Sequence, residues 1–447
     1  MNNTSVKSMV SGNPLKLIIM FSLPVLLSNL FQQLYNIADT AIISKTLGEK
    51  ALAAVGSIGS VNFLILGFCS GIGMGFAIPI AQCFGAGDAE KMKKYAGNTV
   101  WIYAVISLVF TAGSALLTMP ILKITNTPAD IIDMAYRYLF VIFLGIPSMF
   151  GYNILSGILR SVGDSKTPLY ILIAASAVNI ILDLIFIIVF HLGTTGAALA
   201  TVLSQFFSCI GCLIVIRTGI PELQLKRSHL IPDWKIMLDL LKYGLPTGLQ
   251  ISVAGIGSII LQASVNTLGS TAVAAVVAAE RIGNTLAIAT TSIASAMSVF
   301  CGQNLGAKKY DRIDKGVKTG ILLGFAFSAL SILFMLLFGR KMLLLFLDAG
   351  AEDLNRLAYR YMIITGSFLW AQSMIFSVRF SIQGLGRTDI TLAACMLEML
   401  ARGFFGLVVV PAFGFTGACF SSPAAWIAAD LLLIPAYLRI SRELKAA

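Results

Sequence analysis

A stripe of polar side chains runs through the first long apolar stretch of this 447-residue chain and ends in the carboxylate of Asp39. Its members recur at intervals of three and four residues: Asn29, Gln32, Gln33, Asn36 and Asp39. This spacing places them on one face of a helix, with Tyr35 at the margin of that face. A polar face that ends in an acid favours a border with a water-filled cavity. An Asp39 at the outer edge of the stretch would instead only cap the helix or be solvated there.

A second acid, Asp183, follows Asn179 by one helical turn, and Ser176 lies a turn earlier. The amide and the carboxylate can share a hydrogen bond or jointly coordinate a cation through oxygen ligands. The next apolar stretch adds Thr201 and, four residues later, Gln205. Packed around one pocket, these side chains would supply two acids, several neutral oxygens and no base. Repulsion and desolvation would then favour a shared proton, so the pocket can exchange a proton or a small cation, or bind an organic cation.

Charged residues in the second half of the chain permit two interpretations. Glu398 and Arg402 stand four residues apart, in the order that favours an ion pair on a helix, so they form either a net-neutral structural strut or part of a functional site. Glu280 and Arg281 are adjacent and point to different sides of a helix, which leaves Glu280 as a candidate for the cavity. Arg379 is expected near the cytoplasmic end of its helix. Glu280, Glu398 and Arg402 are therefore a candidate polar site of the second half.

The composition indicates which elements must position these groups. The chain is 57% hydrophobic and 12% charged, with a mean hydropathy of +0.87, which excludes an ordinary water-soluble domain. Apolar stretches close to or above the length needed to cross a bilayer recur along it. We predict twelve, at about 15–43, 52–81, 95–119, 131–156, 168–190, 195–216, 238–267, 272–302, 316–338, 357–382, 390–411 and 416–438. Charges inside such spans are costly, so they must face protein or water.

An internal repeat divides these spans into two sets of six. Residues 51–86 match residues 272–307 without a gap, at a constant offset of 221. Other landmarks recur at nearly the same spacing, among them Leu23-Pro24 with Leu245-Pro246, Val162-Gly163 with Leu385-Gly386, and Gly193 with Gly414. An even number of spans per copy makes the repeats parallel. The predicted fold is an all-α integral membrane protein with twelve transmembrane helices in two parallel six-helix repeats around a central cavity. The predicted domains are an N-lobe (1–217), a cytoplasmic linker (218–235) and a C-lobe (236–447).

The distribution of basic residues predicts the topology. Of the lysines and arginines in the loops or near the ends of the spans, 21 fall on the side that holds both termini and 8 on the other side. The positive-inside bias then places both termini in the cytoplasm of a multi-pass protein of the inner or plasma membrane. The net charge of +11 is explained by this bias and predicts no nucleic-acid partner. The two histidines, His191 and His229, have no metal-ligand company, and no nucleophile–base set or phosphate-binding loop occurs, so we expect no enzyme and no ATP-driven pump.

At several motifs the chain resembles the multidrug and toxic compound extrusion (MATE) family. The resemblance is carried by Leu23-Pro24 followed by Asn-Leu-Phe-Gln-Gln-Leu-Tyr-Asn-Ile-Ala-Asp39-Thr40, by Gln82-x-x-Gly85-Ala86 and by Gln303-Asn304-Leu305-Gly306-Ala307. It covers essentially the whole chain. It implies an antiporter that exports bulky cationic and lipophilic compounds, a cause of drug resistance, in exchange for inward H⁺ or Na⁺ by alternating access.

The resemblance also implies roles for particular residues. Asp39, Asn179 with Asp183, and Thr201 match the family's proton or cation coupling positions and would be the ligands of a bound Na⁺. Gln32, Tyr35, Asn36, Asn153 and Gln205 are the expected substrate-cavity residues. Some family members carry a coupling glutamate in the seventh span, where this chain reads Ser252-Val-Ala-Gly255, so coupling in the N-lobe is favoured.

The expected partners are small organic cations and the lipid bilayer, with a monomer as the working unit and no cofactor other than H⁺ or Na⁺ as coupling ion. The alternatives are a two-lobe flippase for lipid-linked precursors and another small-molecule secondary transporter. A flippase would need a basic cavity for pyrophosphate, and the cavity predicted here is acidic.

Overall fold

The computed structural model describes residues 8–348 and 350–446, which are helical throughout apart from short turns and contain no β-strand. Helices dominate because a backbone in lipid must satisfy its hydrogen bonds within its own segment. The α-helices in chain order are α1 (Pro14–Leu47), α2 (Glu49–Ser57), α3 (Gly59–Ala86), α4 (Ala89–Ile124), α5 (Ile132–Leu144), α6 (Ile146–Ser161), α7 (Lys166–Leu184), α8 (Gly193–Gly219), α9 (Trp234–Asn266), α10 (Ser270–Gly306), α11 (Tyr310–Leu343), α12 (Glu352–Gly366), α13 (Leu369–Gly384), α14 (Thr388–Phe404) and α15 (Val410–Ala446).

The helices of the described residues account for twelve membrane crossings. Nine helical stretches are long and apolar enough to span a bilayer, and two bent pairs, α5 with α6 at 46° and α12 with α13 at 45°, supply one crossing each. The last stretch, Thr388–Ala446, has 59 residues and a length of about 88 Å, far more than the roughly 30 Å of a bilayer core. Gly414, at φ 57° and ψ −138°, interrupts it, so it contains two crossings. The predicted all-α membrane fold is confirmed.

The backbone repeats its irregular features as faithfully as the sequence repeats its motifs. A π-helical turn follows α7 at Ile185–Val189, and another follows α14 at Phe405–Val409. Each is followed by a glycine with positive φ, Gly193 at 59° and Gly414 at 57°, a conformation that residues with a side chain rarely adopt. Because π-turns are rare and concentrate at functional sites, their presence in both halves marks α7 and α14 as the helices to inspect.

Two compact units emerge from the contacts between residues. Unit 1 contains Leu23–Gly248, and unit 2 contains Met9–Ser22 together with Leu249–Ala447. Helices α1 and α9 therefore each have their first part in one unit and their remainder in the other. The predicted boundaries of lobes and linker remain a prediction. Residues 1–7 and 447, which fall at the outer ends of the predicted lobes, and residue 349 lie outside the described residues.

The segments that precede α1 and α9 are each held by hydrogen bonds to a helix of their own unit. In unit 2, the Met9 amide donates to Gln303 Oε1 at 2.7 Å, and Asn304 Nδ2 donates to the Met9 carbonyl at 3.2 Å. In unit 1, Trp101 Nε1 donates to the carbonyl of Leu230 at 2.8 Å. Met9 and Leu230 are 221 residues apart, which is the offset of the repeat. The Gln-Asn-x-Gly-Ala motif thus anchors the start of the chain, and the predicted linker packs against α4.

A pair of glycines on α3 lets the first part of α9 approach closely within unit 1. A Cβ on Gly75 would lie 2.6 Å from the Cα of Gly244, and a Cβ on Gly71 would lie 2.7 Å from the Cα of Gly248. Both pairs have a spacing of four residues, the arrangement that brings membrane helices into backbone contact. This contact fixes the position of α9 before the chain enters unit 2.

Candidate functional site

The two acids of the first half meet inside unit 1. The carboxyl groups of Asp39 on α1 and Asp183 on α7 lie close enough to share a hydrogen bond. Asp183 and Asn179 are fully buried, at 0% exposure each. Both carboxylate oxygens of Asp183, both polar side-chain atoms of Asn179 and one oxygen of Asp39 are buried without a hydrogen-bond partner among the described residues. Orphaned polar atoms are costly, so this cluster is suited to receive a proton or a cation.

Two tyrosines and a threonine complete this cluster. The Tyr35 hydroxyl donates to the Thr201 hydroxyl at 3.3 Å, which links α1 to α8. Tyr138, buried on α5, is close enough to Asp39 and Asp183 to interact electrostatically with them and is within hydrogen-bonding reach of Thr201. Tyr138 is not among the residues predicted from the sequence, because a single tyrosine in an apolar span carries no periodic signal. Its phenol adds a second hydroxyl beside Thr201.

Small residues allow the helices of the cluster to come together. Gly145 stands at the bend between α5 and α6, and a Cβ there would lie 2.2 Å from the side chain of Val202. The glycine therefore admits α8 and places the neighbouring Thr201 against α5. At the start of α8, a Cβ on Gly196 would lie 3.0 Å from Phe186 in the π-helical turn after α7. These contacts hold α5, α7 and α8 at the spacing that the cluster requires.

The predicted cavity residues behave differently from one another. Tyr35 belongs to the cluster, whereas Gln32 and Gln205 are half-buried, Asn36 is exposed, and no side-chain hydrogen bond joins these three to the acids within the described part of the chain. Asn153 turns back onto its own helix, where Nδ2 donates to the Met149 carbonyl at 2.8 Å. The structure thus assembles Asp39, Asn179, Asp183, Thr201 and Tyr35 but does not join the other four to them, and all these roles stay predictions.

The charge of the cluster is uncompensated by protein. Across residues 8–348 and 350–446 no lysine, arginine or histidine pairs with Asp39 or Asp183. The same residues contain no group of three or more histidine, cysteine and acidic side chains that would hold a metal ion. Two carboxylates with neutral amide and hydroxyl oxygens fit a proton or a hard monovalent cation and do not fit a transition metal.

The second half contains a buried charge network in unit 2. Arg402 donates to one oxygen of Glu398 at 2.7 Å, which is the pair that the spacing predicts. Arg379, expected only near the end of its helix, donates to the other oxygen of Glu398, also at 2.7 Å. One buried carboxylate is thus bracketed by two guanidinium groups. Asp430 lies near Arg379 and has one buried oxygen without a hydrogen-bond partner in the described residues.

Glu280 is separate from this network and lines a cavity of about 180 Å³ in unit 2. Its Oε1 accepts a hydrogen bond from the Tyr361 hydroxyl at 3.1 Å. Arg281 points elsewhere and stacks over Phe346 at 5.9 Å, as expected for adjacent residues on a helix. Arg402 lines the same cavity as Glu280. The three residues of the candidate second-half site therefore occupy one region, with Glu280 and Arg402 on the cavity wall.

Twelve apolar crossings in a duplicated arrangement, with a cluster of acids buried inside the spans, define a membrane transporter built from two repeats. The sequence pattern of the MatE family matches residues 24–185 and again residues 246–408. The chain therefore belongs to the MatE family of multidrug efflux transporters, which are transporters of small organic compounds and not enzymes. The two matched ranges reproduce the duplication at an offset of 222 to 223 residues.

Individual relatives agree with this assignment. The probable multidrug resistance protein YoeA of Bacillus subtilis is 30% identical over 359 residues, which cover 79% of this chain and 76% of the relative. The probable multidrug resistance protein YpnP of the same organism is 32% identical over 303 residues, which cover 68% and 67%. A solved structure described as the outward-facing conformation of a multidrug resistance MATE family transporter superimposes with a TM-score of 0.91 at 23% identity, covering 98% of each chain. The last comparison shows the fold alone.

Proposed function

We propose that this transporter exports cationic, lipophilic organic compounds in exchange for inward movement of H⁺ or Na⁺, with Asp39 and Asp183 as the coupling residues. The observation that carries the proposal is the adjacency of these two carboxyl groups, buried without a basic partner in the described residues. Two such acids are unstable as a pair of anions, because like charges repel and burial removes their hydration. They can be neutralised by a proton, by Na⁺ or by a cationic substrate, and this competition is what exchange requires.

The residues of the cluster would divide the work. With both acids ionised, the cluster attracts an organic cation, while the hydrogen bond from Tyr35 to Thr201 holds α1 against α8 beside the acids. When a proton or Na⁺ arrives from the outside, it neutralises the acids and removes the attraction, so the substrate leaves. Asn179 and Thr201 supply neutral oxygens to the incoming ion. Exchange follows because both species need the same carboxylates.

To couple ion binding to alternating access, a structural element must differ in conformation between the inward-facing and outward-facing states. Helix α1 carries Asp39 and passes from unit 2 to unit 1 between Ser22 and Leu23. Pro24, directly after this point, lacks an amide donor and so weakens the helix there. Occupancy of Asp39 would thereby bias the bend of α1, with the predicted N-lobe (1–217) and C-lobe (236–447) as the moving bodies.

The proposal also covers the membrane, the topology and the oligomeric state of the protein. We place it as a monomer in the inner or plasma membrane, with both termini in the cytoplasm, in keeping with the positive-inside bias. A flippase for lipid-linked pyrophosphates would need basic residues at the site. The acids Asp39 and Asp183 of unit 1 instead favour a cationic substrate. The relatives named as multidrug resistance proteins support the same substrate class.

The test uses purified protein in proteoliposomes loaded with tetraphenylphosphonium. A pH gradient and a Na⁺ gradient are imposed one at a time, without a membrane potential. Gradient-driven movement of the cation in one arm identifies the coupling ion, and the other arm is the control. Equal movement in both arms and in a gradient-free sample would contradict antiport.

A further inference from the structure

The cavity of unit 2 has a different chemistry from the acid cluster of unit 1. Its walls carry one carboxylate, Glu280, and one guanidinium, Arg402, together with the amides of Gln262, Asn284 and Gln372. Its volume of about 180 Å³ suits an ionic head group and not a whole drug molecule. Met335, Met362 and Trp426 line the same space and can contact an aromatic body. The cavity wall therefore carries both a negatively and a positively charged side chain.

The two charges on the wall are not paired with each other. In the described residues Glu280 has Tyr361 as its hydrogen-bond donor and forms no ion pair. Arg402 is only 9% exposed and uses one nitrogen, Nη2, for Glu398. Glu398 is also satisfied by Arg379, so it does not depend on Arg402 alone for neutralisation. The Glu280 carboxylate therefore faces the cavity without an ion-pair partner. Arg402 faces the same cavity, and Glu398 neutralises its charge only in part.

The α9 backbone beside Arg402 leaves space for its guanidinium group. A Cβ on Gly257 would lie 3.2 Å from Arg402 Nη1 and 3.5 Å from its Cδ. Glycine at this position on α9 leaves the guanidinium room against the helix and so determines where Nη1 stands. A planar guanidinium held in this way can donate two parallel hydrogen bonds to a carboxylate.

We propose that the unit 2 cavity binds the head group of zwitterionic organic compounds, with their cationic nitrogen at Glu280 and their carboxylate at Arg402. This inference rests on the proposed export function and extends its substrates from simple cations to molecules that carry both charges. The acid cluster of unit 1 cannot recognise the anionic part of such a molecule. Arg402 is the residue that distinguishes a zwitterion from a cation of the same shape.

The test compares two dyes that differ in a single charge. Rhodamine 110 carries a free carboxylate, and rhodamine 123 is its methyl ester and therefore a cation. Binding of each to the purified protein in nanodiscs is followed by fluorescence anisotropy. In Arg402→Gln, the Kd of rhodamine 110 should rise about tenfold because charge-assisted hydrogen bonds are lost, while that of rhodamine 123 stays within about twofold. Glu280→Gln should also weaken rhodamine 110.

Two variants serve as controls. Arg281→Gln removes an exposed arginine that stacks over Phe346 and does not line the cavity, so it should leave both dyes unaffected. Gly257→Ala keeps every charge but displaces the guanidinium, and it should weaken rhodamine 110 selectively if Arg402→Gln fails to fold. Equal effects of Arg402→Gln on both dyes, or no binding of either dye to the unsubstituted protein, would overturn the inference. Export of tetraphenylphosphonium, measured on the same preparation, reports separately on the proposed function.

Discussion

The carboxyl groups of Asp39 and Asp183 lie side by side although 144 residues separate them in the chain. One stands on α1 and the other at the end of α7, just before a π-helical turn. Neither has a basic partner in the described residues, and the polar atoms around them include several without hydrogen bonds. A purely structural cluster would have its hydrogen bonds completed by protein. The incomplete pairing of this one is the physical basis for assigning it an exchangeable ligand.

Tyr138 should take part in the exchange although no spacing pattern in the sequence indicates it. Tyr138→Phe removes the hydroxyl that reaches Thr201 and interacts electrostatically with both acids, and we expect a three- to tenfold fall in the rate of gradient-driven export, the equivalent of one hydrogen bond. The rate is measured in proteoliposomes. Tyr136→Phe, two residues away and stacked on Phe140, is the matched control and should keep the rate. Equal rates in both variants would remove Tyr138 from the cluster.

Glu398 should matter more for stability than either of its arginines. Glu398→Gln leaves two buried guanidinium groups without their carboxylate, which typically costs about 3–5 kcal/mol. Arg379→Gln and Arg402→Gln each leave one ion pair intact and should cost less. Thermal unfolding of the purified variants orders the three. A Glu398→Gln protein that melts no earlier than the arginine variants would show that the network is not a strut.

The glycine contact between α3 and α9 should be intolerant of a single methyl group. Gly75→Ala places a Cβ 2.6 Å from the backbone of Gly244, so the helices must separate, and overpacking of this kind costs about 1–3 kcal/mol. Gly113→Ala on α4 meets no atom within 4 Å and is the control, expected to be neutral or slightly stabilising. The melting temperatures of the two variants decide the matter. Similar values for both would mean that the contact is loose.

The Gln-Asn-x-Gly-Ala motif should hold the start of the chain in place. Met9 is 2% exposed and bonded to Gln303 and Asn304, so a cysteine at position 9 should react slowly with a maleimide. Adding Asn304→Ala removes one of two donors to the Met9 carbonyl, the other being Arg312 Nη2 at 3.3 Å, and should accelerate labelling several-fold. Ser11→Cys, at an exposed position, should react quickly in both backgrounds. Both measurements use a chain without its native cysteines, and unchanged slow labelling would contradict the anchoring role.

The helical spacing of polar residues and the internal sequence repeat predicted much of the fold. Spacings of three and four residues predicted the helices of Asp39 and Asp183 and the Glu398–Arg402 pair, because those relationships lie within one helix. Tyr138 and Arg379 escaped prediction because their partners lie on other helices, and a spacing rule holds no information about which faces meet. The π-helical turns and the docking of Met9 escaped for the same reason. The repeat did predict that geometry would recur, and Gly193 and Gly414 bear this out.

The proposed mechanism requires that the carboxylates of Asp39 and Asp183 bind the organic cation and the coupling ion alternately. Proteoliposomes that report tetraphenylphosphonium movement and coupling-ion movement together test it most directly, with the exposed acid variant Asp133→Asn as the control for charge removal. We predict that Asp39→Asn and Asp183→Asn each reduce both movements at least tenfold, while Asp133→Asn retains them. Gradient-driven movement of the organic cation at the unsubstituted rate in Asp39→Asn or Asp183→Asn would contradict the account.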